Sequence, residues 1–137
     1  MTISDVQRRI AAQFLGTMIL VAAVVGSGIM ATLLTDDVGV QLLMNMLATV
    51  MVLGLLIWKL GPISGAHFNP AVTGVALVRH EIRPAEGAAY IPAQVLGAIV
   101  GAILANVMFD LPAIETSTHQ RGGTGVLLGE VVATAGL

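Results

Sequence analysis

Three long apolar runs decide what this chain can become. Residues 10–34, 40–60 and 85–109 each hold more than twenty residues, interrupted only by Lys59 and Glu86 among charged side chains. A hydrocarbon core of about 30 Å takes about 20 helical residues to cross. The rest of the chain offers no soluble surface to hide such runs. Only 10% of the 137 residues are charged, against about 25% in soluble domains. The predicted class is therefore all-α and polytopic, a single membrane domain over residues 1–137.

The first run is not a secretory leader. Arg8 and Arg9 precede it as in a charged n-region. Yet residues 10–34 far exceed an h-region of roughly 7–15 residues, so the run reads as a spanning helix that stays in the protein. The chain has no cysteine, which excludes disulfides, thiolate metal sites and a cysteine nucleophile. A net charge of −2 gives no electrostatic reason to expect nucleic acid. No constellation suggests an enzyme, a cofactor or a metal. His67 has no second histidine or carboxylate at ligand spacing. His80 and His119 read as solvated loop residues.

Orientation follows from the basic residues. Under a three-helix reading Arg8, Arg9, Lys59, Arg79 and Arg83 fall on one side, with only Arg121 on the other. Lys and Arg collect on the cytoplasmic face. The expected amino terminus is cytoplasmic, in a plasma (inner) membrane. Asp36 and Asp37 then mark an outer turn. Asp110, Leu111 and Pro112 close the third spanning helix.

Two apolar stretches are too short to cross. Residues 70–78 would extend roughly 14 Å as a helix, half the hydrocarbon thickness. Residues 64–79 are therefore expected to form a re-entrant loop and half-helix. Residues 123–137 read as the start of a fourth spanning helix that is cut off at Leu137. Gln13-Phe-Leu-Gly-Thr17 resembles Glu130-Val-Val-Ala-Thr134. A second, inverted copy of the fold is thus expected to begin near Gly123, a common plan in transport proteins.

The loop before the half-helix carries the chemistry. Asn69 is a strong N-cap residue, and Pro70 suits the first helical position. The helix start so formed carries partial positive charge and unsatisfied N–H groups. Irregular backbone at membrane depth is tolerated only when buried in protein or lining a watery cavity. Residues 64–69 should therefore face water with their carbonyls, and Asn69 with its amide. Such a wall repels cations and hydrogen-bonds neutral solutes.

Ser64-Gly65-Ala66-His67-Phe68-Asn69-Pro70-Ala71-Val72-Thr73 resembles the first signature of the major intrinsic protein family, the aquaporins and glycerol facilitators. Gln13–Thr17, Ala93-Gln94-x-x-Gly97-Ala98 and residues 130–137 resemble that family's first, third and fourth helices in order. The resemblance covers the whole chain but only about half of the family fold. It implies that Asn69 donates to the passing solute. Pro70 and Ala71 would meet a second half-helix. The carbonyls of Gly65, Ala66, His67 and Phe68 would form a ladder of acceptors. Thr49 stands twenty residues before Asn69, where water-selective members carry a constricting phenylalanine. The smaller threonine implies a wider filter, fit for glycerol-like or uncharged metalloid solutes as well as water. Gln13, in place of the family's glutamate, and Glu130 would brace re-entrant loops. The family's second Asn-Pro-Ala and its filter arginine are absent from this sequence.

Other features read as structure. Trp58 and Lys59 suit an interface anchor, and Met44, Met46 and Met51 suit packing. Gly97-x-x-x-Gly101 and Gly26-x-Gly28 suit close helix contacts. Two functions stay open at the level of sequence. One is a channel half that pairs with a second half, or assembles as the family's homo-tetramer, in a lipid bilayer. The other is a non-conducting truncated fragment or accessory membrane subunit.

Overall fold

The computed structural model describes residues 3–115 and 122–135. His119, Arg121 and Leu137 lie outside the described residues. Among the described residues five helices follow one another: α1 Ile3–Leu34, α2 Val38–Ser64, α3 Pro70–Val78, α4 Pro84–Met108 and α5 Thr124–Ala135. The fold is all-α, and α1, α2 and α4 are long and apolar enough to cross a membrane.

Local chemistry sets the ends. α1 is already helical at Ile3, the first described residue, ahead of its apolar run: residues 5–9 contain no helix breaker. Asp37 caps α2, its Oδ1 accepting from the Val40 N–H at 3.0 Å. α2 continues through Pro62 to Ser64 and stops at Gly65. Gly65 has φ 83°, and its N–H donates to the Gly61 carbonyl at 2.9 Å. A residue without Cβ takes this left-handed cap without penalty.

α3 and α4 close in the same way without glycine. After α3, the N–H groups of His80 (φ 57°) and Glu81 donate to Leu77 and Ala76 at 3.1 and 2.9 Å. After α4, those of Asp110 (φ 56°) and Leu111 donate to Val107 and Asn106 at 3.2 and 2.9 Å. Both are Schellman closures.

α1 is the hub of the bundle. It packs against α4 and α2, α3 packs on α4, and α5 packs on no other described helix. The α1–α4 seam brings backbone against backbone. A Cβ on Gly97 would run into the Phe14 carbonyl, and one on Gly101 into the Met18 carbonyl. Ala93 and Ala105 continue the row, 7% and 0% exposed. Between helices in lipid, such close packing replaces the hydrophobic drive. Large side chains instead face outward, among them Leu42, Val50, Met51 and Val78. A water-facing surface would not carry so much apolar area.

One end of the bundle is tied by charge. Glu86 Oε1 pairs with Arg9 Nη1 of α1 at 3.0 Å. Its Oε2 accepts from the Arg83 N–H and Nε at 3.2 and 3.4 Å. Arg9 is 40% exposed, so Glu86→Gln is expected to cost about 1 kcal/mol or less. Glu81→Gln breaks a pair exposed on both sides and is expected to leave the melting temperature in detergent unchanged. A larger loss from Glu81→Gln than from Glu86→Gln would contradict this ranking.

Candidate functional site

The shortest element positions the site. α3 has nine residues, roughly 14 Å of helix, and runs antiparallel to the first half of α4. Leu77, near its end, packs on Gly87 close to the start of α4. Thr73, near its beginning, accepts from Gln94 at 2.9 Å. Gln94 stands ten residues beyond Pro84, roughly 15 Å along the helix. The beginning of α3 therefore lies inside the bundle and not at its rim.

Asn69 caps that beginning in extended conformation, φ −146° and ψ 128°. Its Oδ1 accepts from the Ala71 N–H at 2.8 Å. Its carbonyl accepts from the Thr73 N–H at 3.0 Å. Pro70 occupies the first helical turn, where no N–H is missed. With Oδ1 engaged, the Asn69 NH2 group has no partner among the described residues.

The four residues before Asn69 hold an unusual backbone. Gly65, Ala66 and Phe68 all have positive φ, at 83°, 51° and 49°. For Ala66 and Phe68 this costs about 1–3 kcal/mol each, and persists only where surroundings impose it. Gln13 of α1 supplies much of that restraint. Its Oε1 accepts from the Phe68 N–H at 2.9 Å, and its Nε2 donates to the Ser64 carbonyl and hydroxyl at 3.2 and 3.0 Å. One side chain thus holds both ends of the loop. The Tyr90 hydroxyl donates to the same Ser64 carbonyl at 3.1 Å. The Phe68 ring is buried against Gly16, where any Cβ would collide with it.

Proton bookkeeping fixes these amides. Phe68 N–H needs an acceptor and the Ser64 carbonyl needs a donor, so Gln13 has one orientation. Gln94 Nε2 must then face Gln13 Oε1, at 2.9 Å, and Thr73 Oγ1. Gln94 Oε1 is left as a buried side-chain atom without a partner among the described residues. Thr73 Oγ1 also lies 3.1 Å from His67 Nδ1, and the His67 ring meets Tyr90 edge-on with centroids 5.6 Å apart. Gln13, Thr73 and Gln94 are all 0% exposed.

The loop forms one side of a groove of about 270 Å³. Ala66, His67, Phe68 and Asn69 line it together. Leu20 of α1, Leu53 and Ile57 of α2, and Val72 of α3 complete the lining. Pro70, Ala71 and Gly65 are exposed beside it. Thr49 lies one turn beyond Leu53 on α2, half-buried, its hydroxyl donating to the Asn45 carbonyl at 2.8 Å. Glu130 stands apart from the others, exposed on the unpacked α5. In the sequence Ser64, Thr73 and Gln94 stand only as letters of the matched signatures, without a bonding role, and Tyr90 does not stand out at all. The available signal was polar side chains inside apolar runs, which in membranes need partners.

Spanning helices around a half-helix whose capped start lies inside the bundle define a polytopic membrane protein with a re-entrant element. The model of one family, Major intrinsic protein, matches residues 1–137. The chain belongs to the major intrinsic protein family and is an integral membrane protein. It is 50% identical to Aquaglyceroporin AqpS of Rhizobium meliloti (strain 1021), over 97% of this chain and 57% of that protein. It is 32% identical to Glycerol uptake facilitator protein-like 6 of Lactiplantibacillus plantarum, over 90% of this chain and 50% of that protein. It is 35% identical to Aquaporin-2 of Homo sapiens, over 87% of this chain and 45% of that protein. The chain spans about half the length of these relatives.

Proposed function

We propose that this chain supplies one wall of a passive channel for water and small neutral solutes, glycerol-like or uncharged metalloid. The observation that carries the reading is Asn69, whose Oδ1 is committed to the helix cap while its NH2 group stays unpartnered on the groove. A donor held beside the positive end of a half-helix hydrogen-bonds a neutral solute and repels a cation. The carbonyls of Gly65, Ala66, His67 and Phe68 serve as acceptors along the same wall. Gln13 acts as the brace of the loop, and Thr49 as part of the filter. A bracing role for Glu130 requires α5 to pack on a loop.

Pro70 and Ala71 are exposed where a second half-helix would sit, so the pore is completed either by pairing with a second half or within a homo-oligomer in the bilayer. The basic residues Arg8, Arg9, Arg79 and Arg83 support a cytoplasmic amino terminus in a plasma membrane. The names of relatives at 50% and 32% identity, an aquaglyceroporin and a glycerol uptake facilitator-like protein, support the solute class.

The test is osmotic permeability of proteoliposomes bearing the chain. The chain is expected to raise water or glycerol permeability above that of empty vesicles. Asn69→Asp puts a carboxylate where the donor stood and is expected to reduce that permeability at least tenfold. Equal permeability of loaded and empty vesicles would support the non-conducting alternative. An Asn69→Asp variant that conducts as well as the parent would remove Asn69 from the pathway.

A further inference from the structure

Beyond Leu20 and Leu53, where the lining of the groove ends, α1 and α2 run on together toward the Asp36–Asp37 turn. On α1, Ser27 follows Leu20 by seven residues, two turns on the same face. On α2, Thr49 and Asn45 precede Leu53 by four and eight residues. The side chains of Ser27 and Asn45 meet, and Thr49 joins them through the Asn45 backbone. Asn45 Nδ2 donates to the Val24 carbonyl at 2.7 Å and to Ser27 Oγ at 3.0 Å. Ser27 Oγ donates to the same Val24 carbonyl at 3.2 Å. Thr49 Oγ1 donates to the Asn45 carbonyl at 2.8 Å.

Every polar proton of this cluster is spent within it. Both amide protons of Asn45 go to α1, and the hydroxyl protons of Ser27 and Thr49 go to backbone carbonyls. What the half-buried Asn45 and Thr49 have left are lone pairs, on Oδ1 and Oγ1. The Asn45 amide cannot turn over, because its oxygen would then face the Val24 carbonyl. The side chain is locked as an acceptor.

We propose that Asn45 is a specificity-determining residue of the solute path, with Thr49 its partner: a station that accepts hydrogen bonds and gives none. This rests on the channel reading above and deepens it. Asn69 offers a donor and this station offers acceptors, so a solute meets the two chemistries in turn. Two acceptors one turn apart on a helix, with about 5–6 Å between Cβ atoms, suit a neutral solute carrying several hydroxyl groups. Anions and acceptor-only molecules gain nothing there. A merely structural Asn45, tying α2 to α1 as polar side chains do in membranes, would show no such preference.

The test reads the site without requiring conduction. The full chain, labelled with ¹⁵N in detergent micelles, is titrated with glycerol and separately with dimethyl sulfoxide, which is small and accepts but does not donate. The Asn45 side-chain amide, assigned by its loss in Asn45→Leu, is expected to shift saturably with glycerol and by less than a tenth as much with dimethyl sulfoxide. Thr49→Val should raise the glycerol midpoint about fivefold. An amide unmoved by glycerol, or moved equally by both solutes, would overturn the proposal. Vesicle permeability of the unaltered chain reports the channel reading on its own. If it conducts, Asn45→Ala should lower the glycerol-to-water ratio at least threefold, and an unchanged ratio would count against Asn45.

Discussion

Gln13→Leu is expected to release the loop before Asn69 and to be among the most damaging single changes in the chain. The substitution fills similar volume but takes a partner from four groups: the Phe68 N–H, a Gln94 Nε2 proton, the Ser64 carbonyl and the Ser64 hydroxyl. Tyr90 still donates to the Ser64 carbonyl, so that loss is partial. A buried donor or acceptor left unsatisfied costs about 1–3 kcal/mol. Two fully stranded donors therefore cost about 2–6 kcal/mol, and the left-handed backbone at Ala66 and Phe68 loses its restraint. The measurement is thermal unfolding in detergent together with proteolytic cleavage within residues 64–69. Both should change, with cleavage rising first.

Gln13→Glu separates hydrogen bonding from charge. A carboxylate still accepts from Phe68 and Gln94. Its other oxygen would face the Ser64 carbonyl, and only the Ser64 hydroxyl can donate to it. That hydroxyl is loosely held by the Leu60 carbonyl at 3.4 Å and can turn. Gln13→Glu alone should be mild, and Gln13→Glu with Ser64→Ala severe. Equal damage from both would show that Ser64 does not adapt.

The second large effect is expected at the α1–α4 seam. Gly101→Val places a branched side chain where the Met18 carbonyl already sits. Overpacking a core typically costs about 1–3 kcal/mol and occasionally more. Here the obstruction is backbone, which cannot rotate aside, so the upper end or beyond is expected. The helices must separate, and Gln94 and Gln13 separate with them. Gly125→Val, on the unpacked α5 with open space where a Cβ would sit, is the control and should leave stability unchanged. Unfolding temperatures in one detergent decide the matter. A Gly101→Val protein that melts with the parent would mean that the seam is not close-packed.

Sequence and structure meet unevenly, for physical reasons. The spanning helices are legible because lipid demands length and apolarity, and both are countable. The half-helix is legible because Asn69-Pro70 is a start signal whose apolar run is too short to cross. Helix ends were less legible: α2 runs on to Ser64 because Gly65, not the polar boundary near residue 60, provides the stop. The Schellman closures at His80 and Asp110 carry no glycine to announce them. The network around Gln13 was visible only as isolated polar letters. Which of Ser64, Thr73, Tyr90 and Gln94 they meet depends on helix rotation, and that is set by the row of small residues on α4. Asn45 has the same history, since nothing in its local sequence says that it bridges to Val24. For Glu130, the expectation depended on a docked α5, and docking is a tertiary event that residues 123–137 do not encode locally.

The central claim is that Asn69 begins a helix inside the membrane and that α3 returns to the side from which its loop entered. The chain has no cysteine, so single cysteines report without background. Gln7→Cys, Gly39→Cys and Arg79→Cys, all at exposed positions, are labelled in sealed vesicles with a membrane-impermeant maleimide added to one side. The account predicts that positions 7 and 79 react from the same side and position 39 from the opposite side. Labelling of 79 from the side of 39 would mean that residues 64–79 cross the bilayer, and the re-entrant half-helix would be wrong.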